Sequence, residues 1–245
     1  QRVSGIPECI GRTCEKQAEF DPAYGSDLWK NQSVRKYWNR SCTRMRTRSI
    51  PRLEEIDQEA FEIAVNTILN AKHIYIIGIR SCAPLASFMA FYFNLMFDMC
   101  IYFQTSSSSE IFEQMVRIGK DDVIIGISFP RYSMRTLKAM EFANNRNAKV
   151  ITLTDSVHSP MNLYSSCNLI ADSDMASIVD SLVAPLSVIN ALIVALCMKN
   201  RKKVAKNAGD AGRYLDEYQV YESDEINYMM TPLKCEYGKI GDNRI

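Results

Sequence analysis

From His73 onward the chain repeats one pattern: a short, almost wholly apolar run, then a longer stretch with helical spacing. The apolar runs are "HIYIIG", "CIYFQ", "DDVIIGIS", "AKVITLTD" and "CNLIAD". Between them stand "PLASFMAFYFNLMF", "EIFEQMVRIG", "SMRTLKAMEFANNRN" and "SPMNLYSS", and a long apolar helix from about Ile178 to Met198 follows the last run. Strands that are apolar on both faces must be covered on both faces, and helices flanking a parallel sheet do this. The pattern predicts an α/β fold: a doubly wound, three-layer αβα sandwich on a five-stranded parallel sheet, with right-handed crossovers. Ligands of such sheets bind beyond the carboxyl ends of the strands, where the strand order reverses. One more helix precedes the repeat. Ile56, Phe61, Val65 and Ile68 fall near helical spacing, with Asp57 as a suitable N-cap.

The flanks differ from this core. Residues 1–55 show no sustained periodicity and contain the turn-rich pieces "GIPEC", "DPAYGSD" and "NQSV". No acid stands between Asp27 and Glu54, an interval that holds Lys30, Arg35, Lys36, Arg40, Arg44, Arg46, Arg48 and Arg52 with both tryptophans, Trp29 and Trp38. Arginines interleaved with aromatics suit DNA phosphates; a solvated linker is the other reading. Residues 206–245 form a polar tail with Asp216, Glu217, Glu222, Asp224 and Glu225. The expected organisation is a basic segment over 1–55, a sandwich domain over 56–205 and the tail. A net charge of +1 adds nothing to this. Leu182 to Met198 is shorter than the roughly 20 apolar residues a membrane span needs and contains Pro185, Ser187 and Asn190. It reads as a buried helix at a subunit interface.

Three strand ends deliver turns rich in hydroxyls. "GIRSCAP" offers Arg80 and Ser81, "QTSSSSE" offers Ser106, Ser107, Ser108 and Ser109 behind Thr105, and "GISFPRYSMRT" offers Ser128, Arg131, Ser133 and Thr136. Hydroxyls, free N–H groups at helix starts and the positive end of the helix dipole together make an anion site. Two guanidinium groups add charge-assisted donors. Few His, Cys or Asp residues stand on these turns, so a phosphate ester held without a metal is the expected ligand. No G-x-G-x-x-G follows the first strand, since Arg80 occupies the place of the second glycine, and no G-x-x-x-x-G-K-[ST] occurs. Nucleotide binding is therefore not indicated, and no cofactor is expected. The eight cysteines form no C-x-x-C pair. Cys9 and Cys14 alone are a poor zinc signal, whereas Cys82, Cys100, Cys167 and Cys197 read as reduced thiols of a cytoplasmic protein.

These residues carry a resemblance. "ID.EAFEIAV..I..AK.IYIIG", "GIRSCAPLA", "SSSSEI", "DVIIGISFPRYSMRT", "AKVITLTDS..SP" and "APLSVINALIVAL" resemble a sugar isomerase (SIS) domain. More narrowly, the match from about Ile56 to Lys203 is similar to the effector domain of RpiR/MurR-family bacterial transcriptional regulators. The resemblance implies a sugar phosphate ligand held by the serine run with Ser81, Ser128, Ser133 and Thr136, and flanked by Arg80 and Arg131. A second serine often follows the first in this subgroup; Cys82 stands there. The resemblance also implies a homodimer or homotetramer that binds DNA through an N-terminal helix-turn-helix domain. The segment before Ile56 is too short for a complete one and leaves room for a truncated or degenerate remnant. An aldose–ketose phosphosugar isomerase is the alternative. It needs a positioned base, and Glu110 and His158 are the two candidates on strand-end turns. Glu110 reads otherwise as a first-turn residue complementing the helix dipole, and His158 as a solvated loop histidine.

Overall fold

A computed structural model describes residues 57–105, 107–173 and 181–201, together with Thr43, Val204, Asn207 and Gly209. The basic stretch with Trp29 and Trp38, the Cys9 and Cys14 pair, Ser106, the expected helix start near Ile178 and the acidic tail lie outside the described residues. The chain divides into two compact units, Gln1–Leu196 and Cys197–Ile245. The sheet and the cleft described below belong to the first.

Helix α1 (Gln58–Leu69) starts where expected: Asp57 Oδ1 accepts the backbone N–H groups of Glu59 at 3.0 Å and Ala60 at 3.1 Å. Strand β1 (Ile74–Gly78) follows, then a 3₁₀ turn (Arg80–Cys82) that runs straight into α2 (Ala83–Met96). Next come β2 (Cys100–Tyr102), α3 (Ser108–Gln114), β3 (Val123–Ile127), α4 (Met134–Asn145) and β4 (Lys149–Thr154). A 3₁₀ helix (Pro160–Tyr164), β5 (Cys167–Ile170) and α5 (Val183–Lys199) complete the order.

The sheet has five parallel strands in the order β2-β1-β3-β4-β5. β1 and β3 are buried along their whole length, which explains why their sequences are apolar without alternation. Tyr75, Ile77, Ile124 and Val150 pack on one face against Ile111 of α3, Leu137, Met140 and Ala143 of α4, and Met161. Alternation turns Ile74, Ile76, Val123, Ile125 and Ile151 to the other face, and each such fully buried side chain contributes about 2 kcal/mol. The right-handed crossover rule places α2, which joins β1 to β2, on that face, because α3 and α4 return in the opposite direction.

The reversal of direction between β1 and β3 fixes the place of a ligand site. At the amino ends of these two strands, His73 Nδ1 and Asp122 Oδ1 lie 2.6 Å apart, and the other Asp122 oxygen accepts Gly119 N–H at 2.8 Å. Three expectations need correction. The helix expected over "EIFEQMVRIG" ends at Gln114. "SPMNLYSS" is a short 3₁₀ helix begun by Pro160, not an α-helix. α5 begins at Val183 rather than near Ile178, with Ser181 and Leu182 outside the helix, and within the chain Val188, Ile189 and Leu192 are buried while Val194 is 56% exposed. Being apolar on both faces, its sequence cannot signal which one turns inward. Among the described residues no helix is long and apolar enough to cross a membrane.

Candidate functional site

β1 ends at Gly78, where the chain turns sharply. A Cβ on Gly78 would lie 2.8 Å from the Cys82 carbonyl oxygen and 2.9 Å from Ala86 Cβ, so only glycine lets α2 begin this close to the strand. Two residues on, Arg80 adopts φ 61°. Cys82 is the N-cap of α2 and makes no side-chain cap hydrogen bond; the preceding 3₁₀ turn takes up the first N–H groups, Cys82 N–H donating to Ile79 O at 3.3 Å and Ala83 N–H to Arg80 O, and Pro84 has none.

β3 ends in a second turn of similar design. Ser128 is buried, and its Oγ accepts the backbone N–H of Ser133 at 3.1 Å, folding Phe129 to Tyr132 into a tight arch. Arg131, at the crown of the arch, adopts φ 66°. Ser133 then caps α4, accepting Thr136 N–H at 3.3 Å. Both arginines are thus held in the left-handed region that long side chains rarely enter.

Strand order brings the two turns together, and between them lies a cleft of about 440 Å³. Arg80, Ser81, Ser128, Arg131 and Ser133 line it with Cys82. Its remaining walls are apolar: Ile79, Phe129, Pro130 and Leu182. The two arginines and Ser81 are exposed to solvent, Ser133 is half-buried, and Ser128 forms part of the floor. Two guanidinium groups and several hydroxyls around one hollow suit a compact anion.

The other expected residues stand elsewhere. Thr136 is fully buried, its methyl group directed toward Gly126 and its Oγ1 without a hydrogen-bond partner. It supplies a capped backbone N–H, and its hydroxyl does not line the cleft. The serine run is tied to itself: Ser107 N–H donates to Thr105 Oγ1 at 3.0 Å, and Ser107 Oγ and Ser109 Oγ are 2.9 Å apart. Ser107, Ser108 and Ser109 do not line the cleft. Glu110 is exposed in the first turn of α3, and His158 is exposed on the loop after β4. Phe129, Pro130 and Leu182 were not anticipated. The first two lie inside the turn already singled out, but no sequence signal ties Leu182 to it.

A family model for the SIS domain matches residues 67–195, more than half of the chain. The chain belongs to the SIS family. The SIS domain is also similar in fold to solved structures. The sugar isomerase domain of an RpiR transcription factor from Sphaerobacter thermophilus has TM-score 0.65 and 23% identity, with 70% of this chain and 97% of that one covered. NanR of Vibrio vulnificus, complexed with ManNAc-6P, has TM-score 0.65 and 17% identity, covering 84% and 80%. A candidate sugar-phosphate isomerase from Listeria monocytogenes has TM-score 0.57 and 14% identity, covering 82% and 99%. No curated protein matches the chain.

Proposed function

We propose that the cleft between the β1 and β3 turns binds the phosphate of a phosphorylated sugar, and that the domain senses this ligand as the effector part of an RpiR-type transcriptional regulator. The observation that carries the reading is the pair of arginines, Arg80 and Arg131, both in left-handed turns on the rim of one cleft. Backbone strain of this kind concentrates where function maintains it. Similarity in fold to an RpiR transcription factor and to NanR solved with ManNAc-6P supports the choice of ligand class. In this reading the protein acts in the cytoplasm as a homodimer or homotetramer. Ligand binding shifts the equilibrium between arrangements that differ in affinity for DNA.

An isomerase would need a base beside the sugar carbons. The described residues lining the cleft include no carboxylate and no imidazole, and Glu110 and His158 are not among them. This favours sensing over turnover.

Thermal unfolding with a panel of sugar phosphates and the matching free sugars tests the reading. A bound sugar phosphate at about 100 times its dissociation constant stabilises by about 2.7 kcal/mol, which raises Tm by roughly 5–10 °C for a domain of this size. Arg80→Ala and Arg131→Ala should each abolish most of that rise. Equal shifts from the unphosphorylated sugars, or none from any phosphate, would overturn the assignment.

A further inference from the structure

The β3–α4 turn has an anchor outside the cleft. Tyr132 stands between Arg131 and Ser133, and its hydroxyl donates to Asp155 Oδ1 at 2.8 Å, just beyond the end of the neighbouring strand β4. The same oxygen is 3.2 Å from Thr154 Oγ1, and Thr154 is fully buried. Thr154 Oγ1 also lies 2.9 Å from Ser159 Oγ. A threonine hydroxyl has one proton, and a carboxylate can only accept. The consistent assignment has Ser159 donating to Thr154 and Thr154 donating to Asp155. Ser159 Oγ in turn accepts Met161 N–H at 3.3 Å, which starts the 3₁₀ helix. The chain of bonds therefore runs from the buried end of β4 to the residue beside Arg131.

On its other side the turn is held by the Ser133 N–H bond to Ser128 Oγ. Arg131 sits between these two anchors with φ 66°. A single left-handed residue tends to relax unless its flanks are fixed. The carboxylate itself is a poor neighbour for an anion site, and its place is explained by the hydrogen bond it accepts. The geometry points to Asp155 as a positioning residue of the anion cleft, acting through the Tyr132 hydroxyl to hold the left-handed turn that presents Arg131. This rests on the phosphate reading above.

The test is calorimetric titration of the full chain with inorganic phosphate and with glucose 6-phosphate. Tyr132→Phe and Asp155→Ala should each weaken binding roughly tenfold, the scale of one hydrogen bond to a charged acceptor. The double variant should lose no more than either alone, because both break the same bond. Asp155→Asn keeps an accepting oxygen and should retain wild-type affinity or exceed it. In the absence of ligand, hydrogen exchange at the Ser133 amide should quicken in Tyr132→Phe, while Tm changes little. If Asp155→Ala does not fold, Tyr132→Phe carries the test, since it removes one oxygen from a half-buried ring.

Wild-type affinity in Tyr132→Phe would overturn the clasp and leave the phosphate reading standing. Equal tightening in both Asp155 variants would show that the carboxylate acts by charge alone, and would overturn it too. Failure of both probes to bind the wild-type chain would remove the phosphate reading and the clasp together.

Discussion

A left-handed backbone costs a long side chain about 1–2 kcal/mol, and Arg80 and Arg131 both adopt it, at φ 61° and 66°. Glycine would fit either place without strain but carries no charge. Arg131→Gly should therefore leave stability within about 1 kcal/mol of wild type, the relief of strain offsetting the looser unfolded chain. Stabilisation by sugar phosphate should disappear in the same variant. Arg131→Lys keeps the charge but not the planar fork and should retain part of it. Denaturant melts with and without ligand separate these outcomes. A large stability loss in the glycine variant would mean that the arginine is held for packing. Sequence alone pointed to Arg80 because it stands on a hydroxyl-bearing turn at a strand end. It could not show the conformation, which arises from the chain doubling back beside α2. Thr136 misled for the opposite reason: a hydroxyl three residues into a helix looks available, yet its position faces the sheet, where Gly126 makes room for it.

Among elements, the junction of β1 with α2 is tightly built against its own backbone. Gly78→Ala would push against the Cys82 carbonyl, part of the backbone, which cannot swing aside as a side-chain end can. We expect a loss of about 1–3 kcal/mol in a denaturant melt, together with weaker ligand binding, because the displaced segment carries Arg80 and Ser81. Unchanged stability would show that the helix start yields easily. The strands themselves were legible, since apolar residues on both faces leave few alternatives. Their flanking pieces were less so. The pattern "EIFEQMVRIG" predicted a helix to Gly119, but α3 ends at Gln114, and Met115 and Ile118 are buried from the turn that follows. Hydrophobic spacing reports which residues go inside, and a compact turn satisfies it as well as a helix does.

For the whole molecule, the sequence predicts five strands but not their order, and the order makes the site. Turns 51 positions apart, at Arg80 and Arg131, meet only because β3 pairs with β1, while β2 lies on the far side of β1. The serine run at the end of β2 was expected to share the cleft because local sequence cannot weigh that arrangement. Stability of the whole fold should depend on alkaline pH. Burial pushes the Cys100 thiol up to about 12 and the Cys167 thiol up to about 11, and Cys167 Sγ also donates to the Ala60 carbonyl at 2.9 Å. The unfolded chain ionises such thiols near their ordinary value of 9.0, before the folded chain does. The unfolded state then binds fewer protons, so their contribution is intact below that value and declines as pH rises toward the folded values. Melting from pH 7 to about 11 should show this fall, with a shallower slope in Cys100→Ala and Cys167→Ala; an unchanged slope in both would assign the alkaline loss to other groups.

The two left-handed arginines also define what disuse would look like. On the anion proposal, a lineage with no remaining need for the ligand would lose little in folding by drifting to glycine or asparagine at positions 80 and 131. Those codons would decay ahead of the apolar strands. If the proposed anion site is right, their joint survival in a relative is the trace that continued selection for it would leave, readable without an assay.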